Sequence, residues 1–203
     1  MPYNKNIHHR RSIRLKGYDY SQAGLYFITI CLQDRKCLFG EIENGEMILN
    51  EFGMMAYQQW EKLPERFTNM VLDVFQIMPN HMHGIIMLTD TVGATLAVAP
   101  DDNTNTENDA VAHDDSIVAI GAGASPAPTN TKTVGDIVGA YKSLVANNCL
   151  EIFKQKYPGE IMGKLWQRNY YEHIIRDEQS YQRISDYIIN NPKNWKDDKF
   201  YGQ

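Results

Sequence analysis

Short apolar runs, separated by turn residues and by segments with helical spacing, constrain the fold of this chain more than any other feature. Residues 25–32, LYFITICL, are rich in aromatic and β-branched side chains and predict a strand buried on at least one face. Residues 38–49 place Asn44-Gly45 between two partly alternating apolar arms, the preferred sequence for a tight type I′ turn. This segment is therefore predicted to form a β-hairpin.

Three later segments have helical spacing. Asn50 is a good capping residue for a first helix, which is predicted to run to about Leu63. A second helix is predicted over about residues 134–156, and a third from Asp177 to near Asn191, where the following proline disfavours a helical residue. The helices are thus separated along the chain by strand-type runs.

The remaining strand-type runs complete an α+β pattern. Residues 71–78 and 81–88 predict two strands joined at Pro79-Asn80, and residues 166–176, WQRNYYEHIIR, predict a strand entered from a loop. The order is then strand, hairpin, helix, strand, strand, helix, strand, helix. Such a mixture favours an antiparallel sheet with helices packed on one face.

Residues 91–131 interrupt this pattern. They are rich in Ala, Gly, Asp, Asn, Thr and Pro and contain no aromatic residue, so we expect a flexible acidic insertion within a single domain of residues 1–203. Short apolar patches, LAVA and SIVAI, leave a hairpin as the alternative. The segment carries six acidic residues and no Lys or Arg, so the chain's net charge of -5 becomes +1 without it.

The first 20 residues form a basic cluster. Lys5, Arg10, Arg11, Arg14 and Lys16 face a single acidic residue there, and such a cluster can contact a phosphate backbone. A solvated, frayed terminus is the alternative. The start has no apolar stretch typical of a secretory signal, and no run in the chain is long enough to cross a membrane. We therefore expect a cytoplasmic protein without membrane contact.

His81 and His83 are candidate metal ligands. Residues two apart on a strand point to the same face, so both imidazoles can converge on one divalent ion while Met82 faces the core. Two histidines do not fill a coordination shell, so further ligands are required. The alternative is a pair of half-exposed histidines at the end of a strand.

Tyr187 and Asn191 form a second candidate pair. They are four residues apart in DYIINNP, so they share one face of the last helix. If that face packs against the histidine strand, the Asn191 carbonyl oxygen can reach the ion and the Tyr187 hydroxyl can reach a phosphate. Ordinary packing of the tyrosine and helix-exit chemistry at Asn-Pro are the alternatives.

Taken together, MPNHMHGIIML, WQRNYYEHIIRD and DYIINNPKNW closely resemble the IS200-like tyrosine transposases, in particular the REP-associated ones. The resemblance covers almost the whole chain except residues 91–131, and it implies a ferredoxin-like HUH palm. In that family a histidine pair binds Mg²⁺ or Mn²⁺ and a tyrosine on a later helix attacks DNA. His81 and His83 match the metal pair, and Tyr187 matches the nucleophile. Asn191 matches the polar position one turn later, where IS200-type members tend to have Gln.

The resemblance also implies contacts with DNA. The N-terminal HHRRSIRLKGYDY recurs in relatives, which favours DNA binding by Arg10, Arg11, Arg14 and Lys16. His173 matches part of a recurrent Glu-His pair and is expected to line the site or contact DNA, with packing as the alternative. Residues of the WQR run can stack on or hydrogen-bond unpaired bases, with core packing of the ring as the alternative. These residues are Trp166, Gln167 and Arg168.

The implied function is nicking and joining of single-stranded DNA beside a hairpin, through a 5′-phosphotyrosine intermediate. The expected cofactor is Mg²⁺ or Mn²⁺, with no small-molecule cofactor, and both a homodimer and a monomer stay open. The main alternative is a domesticated single-strand nucleic-acid-binding protein with little or no cleavage activity. A metal hydrolase of small phosphoesters ranks last, because the sequence shows no general base or second metal cluster.

Overall fold

The fold of the chain is given by a computed structural model that describes residues 14–90 and 132–201. The predicted insertion, residues 91–131, and the predicted DNA contacts Arg10 and Arg11 lie outside the described residues. The strands are β1 Gly24–Cys31, β2 Gly40–Glu43, β3 Glu46–Leu49, β4 Met70–Ile77, β5 His81–Leu88 and β6 Tyr171–Ile175. The helices are α1 Glu51–Glu61, α2 Leu63–Arg66, α3 Val134–Lys156 and α4 Glu178–Asn190, with short 3-10 turns at Gln33–Arg35 and Trp195–Asp197.

Four strands form the main sheet, in the order β4-β5-β1-β6, and every neighbouring pair is antiparallel. If these four strands are numbered 1 to 4 in chain order, the sheet reads 4-1-3-2 from β6 to β4. Helix α1 follows the first of them and α3 follows the third. That is the ferredoxin-like β-α-β-β-α-β arrangement, which confirms the predicted α+β class.

The predicted hairpin forms a separate two-stranded sheet of β2 and β3. Asn44 and Gly45 have φ values of 52° and 80°. A type I′ turn needs positive φ at both central residues, so the predicted turn is confirmed.

The two faces of the sheet carry different helices. On one face Tyr26 and Ile28 pack with Trp60 of α1 and Tyr141 of α3 in the main core. On the other face a smaller apolar cluster joins Ile85 and its strand neighbours to α4. The prediction that the helices lie on one face is therefore wrong, because β1 and β5 are apolar on both faces and α4 covers the second.

Two boundaries also differ from the prediction. β6 begins at Tyr171 rather than at residue 166, and Trp166 makes only an isolated bridge with Leu32. Helix α1 ends at Glu61, and Pro64 lies in the first turn of the short helix α2, a position that needs no backbone N–H donor.

The chain after α4 folds back over the sheet. Trp195 and Phe200 pack with Cys31 and Met78, beside the turn that leads into β5. This segment therefore covers the strand ends that carry the histidine pair. Over residues 14–90 and 132–201, no helix has both the length and the apolar character needed to cross a membrane.

Candidate metal and DNA-cleavage site

The histidine pair lies at the start of β5, on the sheet face that α4 covers. His81 and His83 are fully buried, and their Nε2 atoms lie 3.0 Å apart. Met82 points into the main core on the opposite face, as strand alternation predicts. Both imidazoles therefore present a ring nitrogen to one point.

Hydrogen bonds at the Nδ1 atoms fix the orientation of both rings. Asn80 Oδ1 lies 2.8 Å from His81 Nδ1, while Asn80 Nδ2 donates to the Phe200 carbonyl at 2.9 Å. Since the amide oxygen can only accept, the His81 Nδ1 carries the proton and its Nε2 keeps a lone pair. The Thr29 hydroxyl lies 2.8 Å from His83 Nδ1 and orients that ring, with either atom able to donate the hydrogen bond. Partners of this kind are typical of histidines that bind metals.

Burial controls the charge of the pair. It lowers the pKa of His81, and it lowers the pKa of His83 together with repulsion from the His81 imidazole. Both rings are therefore neutral at pH 7. Neutral imidazole is the form that binds a metal ion.

Tyr187 reaches this point from α4. Its hydroxyl lies 3.1 Å from His83 Nε2 and donates to Asp198 Oδ2 at 2.9 Å. Burial, followed by the Asp198 carboxylate, raises the pKa of Tyr187, so the phenol is protonated at pH 7. The side chain is nevertheless 39% exposed, so its hydroxyl lies at the border between the buried histidines and solvent.

Asn191 and Asp198 complete the cluster. The Asn191 side chain is almost fully buried, and its Nδ2 donates to Asp198 Oδ2 at 2.8 Å. Among the described residues, nothing donates to the buried Asn191 Oδ1. The amide oxygen is thus an acceptor without a donor, as expected for a group beside a cation site.

Asp198 was not predicted from the sequence. It belongs to the charged run KDDKF, where nothing distinguishes it from Asp197 before the chain is folded. Burial acts to raise the pKa of Asp198, but hydrogen bonds from Asn191, the Phe200 backbone and Tyr187 outweigh it, so the pKa is lowered. The carboxylate is therefore ionised at neutral pH.

The donor set fits a divalent cation. Ligand atoms of His81, His83 and Asp198 all lie within 4.8 Å of one another. Two neutral imidazoles and one carboxylate suit a divalent metal ion. The cluster could therefore bind a metal ion.

Three of the residues predicted to contact DNA, Arg14, Lys16 and His173, line one cleft beside β6, whereas Trp166 and Arg168 do not line it. Arg14 is paired with Glu172 and lies over the Tyr170 ring, while Lys16 is exposed nearby. His173 is exposed on β6.

Residues of the WQR run separate into a buried ring and an exposed cation. Trp166 is only 8% exposed, packs against Phe39 and Tyr141, and donates its indole N–H to the Lys142 carbonyl at 2.9 Å. Arg168 is exposed. Core packing, the alternative weighed for the tryptophan, therefore fits its position better than stacking on a base.

Comparison with known proteins adds sequence and fold evidence. No protein-family model matches the chain. A Haemophilus influenzae protein of uncharacterised function is 42% identical over 202 residues, covering 98% of this chain and 97% of the relative. A second protein of that organism, named "Putative REP-associated tyrosine transposase", is 25% identical over 175 residues, covering 86% of this chain and 73% of the relative.

A solved structure shares the fold. It is a REP-associated tyrosine transposase bound to a REP hairpin, with a TM-score of 0.52 and 17% identity, covering 90% of this chain and 74% of that chain. The chain is therefore similar in sequence to a protein named as a REP-associated tyrosine transposase, and it shares the fold of a solved one.

Proposed function

We propose that this protein is a metal-dependent single-strand DNA endonuclease and strand transferase that acts through a 5′-phosphotyrosine intermediate at hairpin-flanked sites. One observation carries the proposal. The Tyr187 hydroxyl lies 3.1 Å from His83 Nε2, beside a histidine pair and a carboxylate able to bind a cation. Nucleophile and cation ligands would then meet at one phosphate.

His81, His83 and Asp198 would hold Mg²⁺ or Mn²⁺, with Asn191 as a further donor. When bound, such an ion offsets the negative charge on a non-bridging phosphate oxygen and stabilises the oxyanion that develops during attack. The protein side chains supply the nucleophile and its orientation.

The cleavage step begins at the Tyr187 hydroxyl. Its oxygen forms a bond to phosphorus as the bond to the 3′ oxygen breaks, leaving a 5′-phosphotyrosine and a strand that ends in a 3′-hydroxyl. The Asp198 Oδ2, 2.9 Å away, orients the hydroxyl and is positioned to accept its proton, and the released 3′ oxygen takes a proton.

Joining is the reverse of cleavage. The 3′-hydroxyl of another strand attacks the phosphotyrosine, so the bond energy is retained and no ATP is needed. All five side chains of the site come from one chain, so we propose that a single copy holds a complete site. The hairpin requirement is proposed by analogy with the REP-associated transposase solved with its hairpin.

The test is a covalent adduct. Purified protein is incubated with Mn²⁺ and labelled single strands that carry hairpins, and products are separated on a denaturing gel. We expect an adduct with the parent protein and with Tyr181→Phe, but none with Tyr187→Phe. Tyr181 is a matched control because it lies on the same helix and its hydroxyl donates to Asp73 at 3.0 Å, away from the histidines.

The same assay separates the alternatives. Binding of hairpin-flanked strands without any adduct, unchanged by His81→Ala, would indicate the single-strand nucleic-acid-binding protein instead. Metal-dependent turnover of a chromogenic phosphodiester without any DNA adduct would indicate a hydrolase. An adduct that survives in Tyr187→Phe would assign the nucleophile to another residue.

A further inference from the structure

A row of side chains crosses the whole sheet at the level of the second histidine. Gln76 pairs with His83, His83 with Thr29, and Thr29 with Tyr171. Directly opposite residues in antiparallel strands point to the same face. Tyr171 therefore lies on the face of the candidate site, two strands from His83, at a distance of about 10 Å.

Within residues 14–90 and 132–201, this end of the face is open. Helix α4 lies mainly over β4 and β5, and it reaches β6 at Ile175, which packs with Ile184. Tyr171 is 52% exposed and His173, two residues on, is also exposed. A large aromatic side chain thus stands in solvent beside the buried histidines.

The opposite side of the histidine pair is closed. The Phe200 ring lies over His81 with a centroid separation of 4.5 Å, and the Trp195 ring lies 5.9 Å from it. Tyr187, by contrast, is partly exposed, and its ring meets that of Phe27 edge-on at 6.3 Å. Phe27 pairs with His173 of β6, so the side toward β6 is the open approach to the phenol in the described part of the chain.

The outer edge of β6, to which no strand of the described residues pairs, carries positive charge. β6 is the last strand of the sheet, and a cleft of about 360 Å³ runs beside it. The charged residues lining this cleft are Arg14, Lys16, Arg176 and Glu172. Arg14 is paired with Glu172, so the other two cations set the net charge of the cleft. Such a lining suits the phosphates of a nucleic acid backbone.

We propose that a single DNA strand runs along the outer edge of β6, with a base next to the scissile phosphate stacked on Tyr171 and its backbone against Lys16 and Arg176. The proposal rests on the proposed function, because the strand must end at the Tyr187 hydroxyl. Aromatic rings on sheet surfaces bind single strands by stacking with little regard to sequence. Tyr171 would then hold the nucleotide in register while leaving sequence choice to other contacts.

The test measures binding separately from cleavage. Every variant is made in a Tyr187→Phe background, so that no adduct contributes, and the affinity for a labelled hairpin-flanked single strand is measured by fluorescence anisotropy. We expect Tyr171→Ala to weaken binding by about 5- to 150-fold. Tyr171→Phe should bind within about twofold of its parent, because the phenyl ring keeps the stacking face.

A matched control and two further readouts sharpen the test. Tyr157→Ala removes an exposed tyrosine just after α3, which lines a different cavity from the cleft beside β6, and should leave affinity unchanged. Single abasic positions are then introduced along the oligonucleotide, and one of them should cancel the difference between the Tyr171→Ala variant and its parent. Lys16→Gln and Arg176→Gln should each reduce the slope of log K against log salt by about 0.7.

Two results would overturn the proposal: affinity of folded Tyr171→Ala within twofold of its parent, or a loss that no abasic position cancels. Thermal melting shows whether each variant is folded. Failure of the proposed function would be seen elsewhere, as the absence of an adduct with intact Tyr187. Stacking at Tyr171 without any adduct would support the strand path and reject the enzyme.

Discussion

At the scale of single residues, Asp198 links the nucleophile to the cation ligands. One carboxylate oxygen accepts hydrogen bonds from Tyr187 and Asn191, and the other accepts from the Phe200 backbone N–H. The carboxylate supplies the one formal charge among the ligands named above. Loss of the Asp198 carboxylate should therefore weaken the binding of a divalent ion more than it destabilises the fold.

We predict that Asp198→Asn lowers Mn²⁺ affinity by at least about 10-fold, because the amide removes the negative charge from the ligand cluster. The measurement is a Mn²⁺ titration followed by electron paramagnetic resonance of the free ion. Asp197→Asn is the matched control, since that carboxylate is the exposed neighbour. Equal affinities for the two variants would exclude Asp198 from the ligand set.

The candidate site was only partly predictable at this scale. Spacing alone placed His81 with His83 and Tyr187 with Asn191, because strand and helix periods determine which side chains share a face. The position of Asp198 beside the histidines depends on how the chain folds back after α4. The spacing of residues within one helix or strand does not determine that path. Local spacing could not show that the Trp166 ring packs against Phe39 and Tyr141, because those contacts come from distant parts of the chain.

At the scale of elements, Gly84, the residue after His83 in β5, determines how closely helix α1 can approach the sheet. A Cβ atom built on Gly84 would lie 2.6 Å from a ring carbon of Trp60 and 3.2 Å from the Phe75 Cβ. Trp60 is fully buried, so its ring cannot move aside without disturbing the main core.

We predict that Gly84→Ala lowers the free energy of unfolding by about 1–3 kcal/mol, the usual range for overpacking. Urea denaturation provides the measurement. Gly139→Ala on α3 has open space around its Cβ and should instead stabilise by about 0.5–1 kcal/mol. A neutral Gly84→Ala would mean that α1 does not lie against β5 as described.

The capping box of α3 gives a pH-dependent prediction. The Thr133 backbone N–H donates to the Asp136 carboxylate at 3.0 Å and its hydroxyl donates at 2.9 Å, and these bonds hold the pKa of Asp136 below its usual value. Because the pKa is lower in the folded state, the ionised carboxylate stabilises the fold above pH about 4, and the contribution is lost as the pH falls through the folded value.

Asp136→Asn should therefore melt at a lower temperature than the parent at pH 7, and this difference should shrink below pH about 4. Thr133→Ala should lower the free energy of unfolding by about 0.5–2 kcal/mol, because the N-cap of α3 is lost. Thermal melts between pH 2.5 and pH 7 measure both effects. A melting difference for Asp136→Asn that grew toward acid pH would contradict the assignment.

Helices and turns were predicted correctly where the local sequence pattern was clear. Features that depend on tertiary contacts were not. The Asn44-Gly45 turn encodes its own geometry, and the apolar spacing of α3 matches its observed bounds. The placement of α4 on the second face could not be predicted, since an amphipathic helix does not encode which sheet face it will meet.

At the scale of the whole molecule, Asn69 forms hydrogen bonds with both segments that flank residues 91–131. Its side chain donates to the Lys132 carbonyl at 3.0 Å, and its own carbonyl accepts from the Thr89 N–H at 2.9 Å. Both flanks therefore meet at one residue, and a short connection can bridge them.

We predict that replacing residues 91–131 by a short Gly-Ser linker leaves the fold and adduct formation intact. Each halving of the loop length favours folding by about 0.6 kcal/mol, so the melting temperature should stay equal or rise slightly. Circular dichroism melts and the adduct assay measure the outcome. If the variant folds but forms no adduct, residues 91–131 contribute to DNA cleavage and the prediction is wrong.

The central claim is that two imidazoles, a carboxylate and a phenol meet around one cation. The most direct test is a crystal structure of the protein soaked with Mn²⁺, read from anomalous scattering. We predict one peak at roughly 2.0–2.3 Å from the Nε2 atoms of both His81 and His83, with Asp198 coordinated and the Tyr187 oxygen on the same side. Anomalous density elsewhere, with none between the two histidines, would contradict the claim.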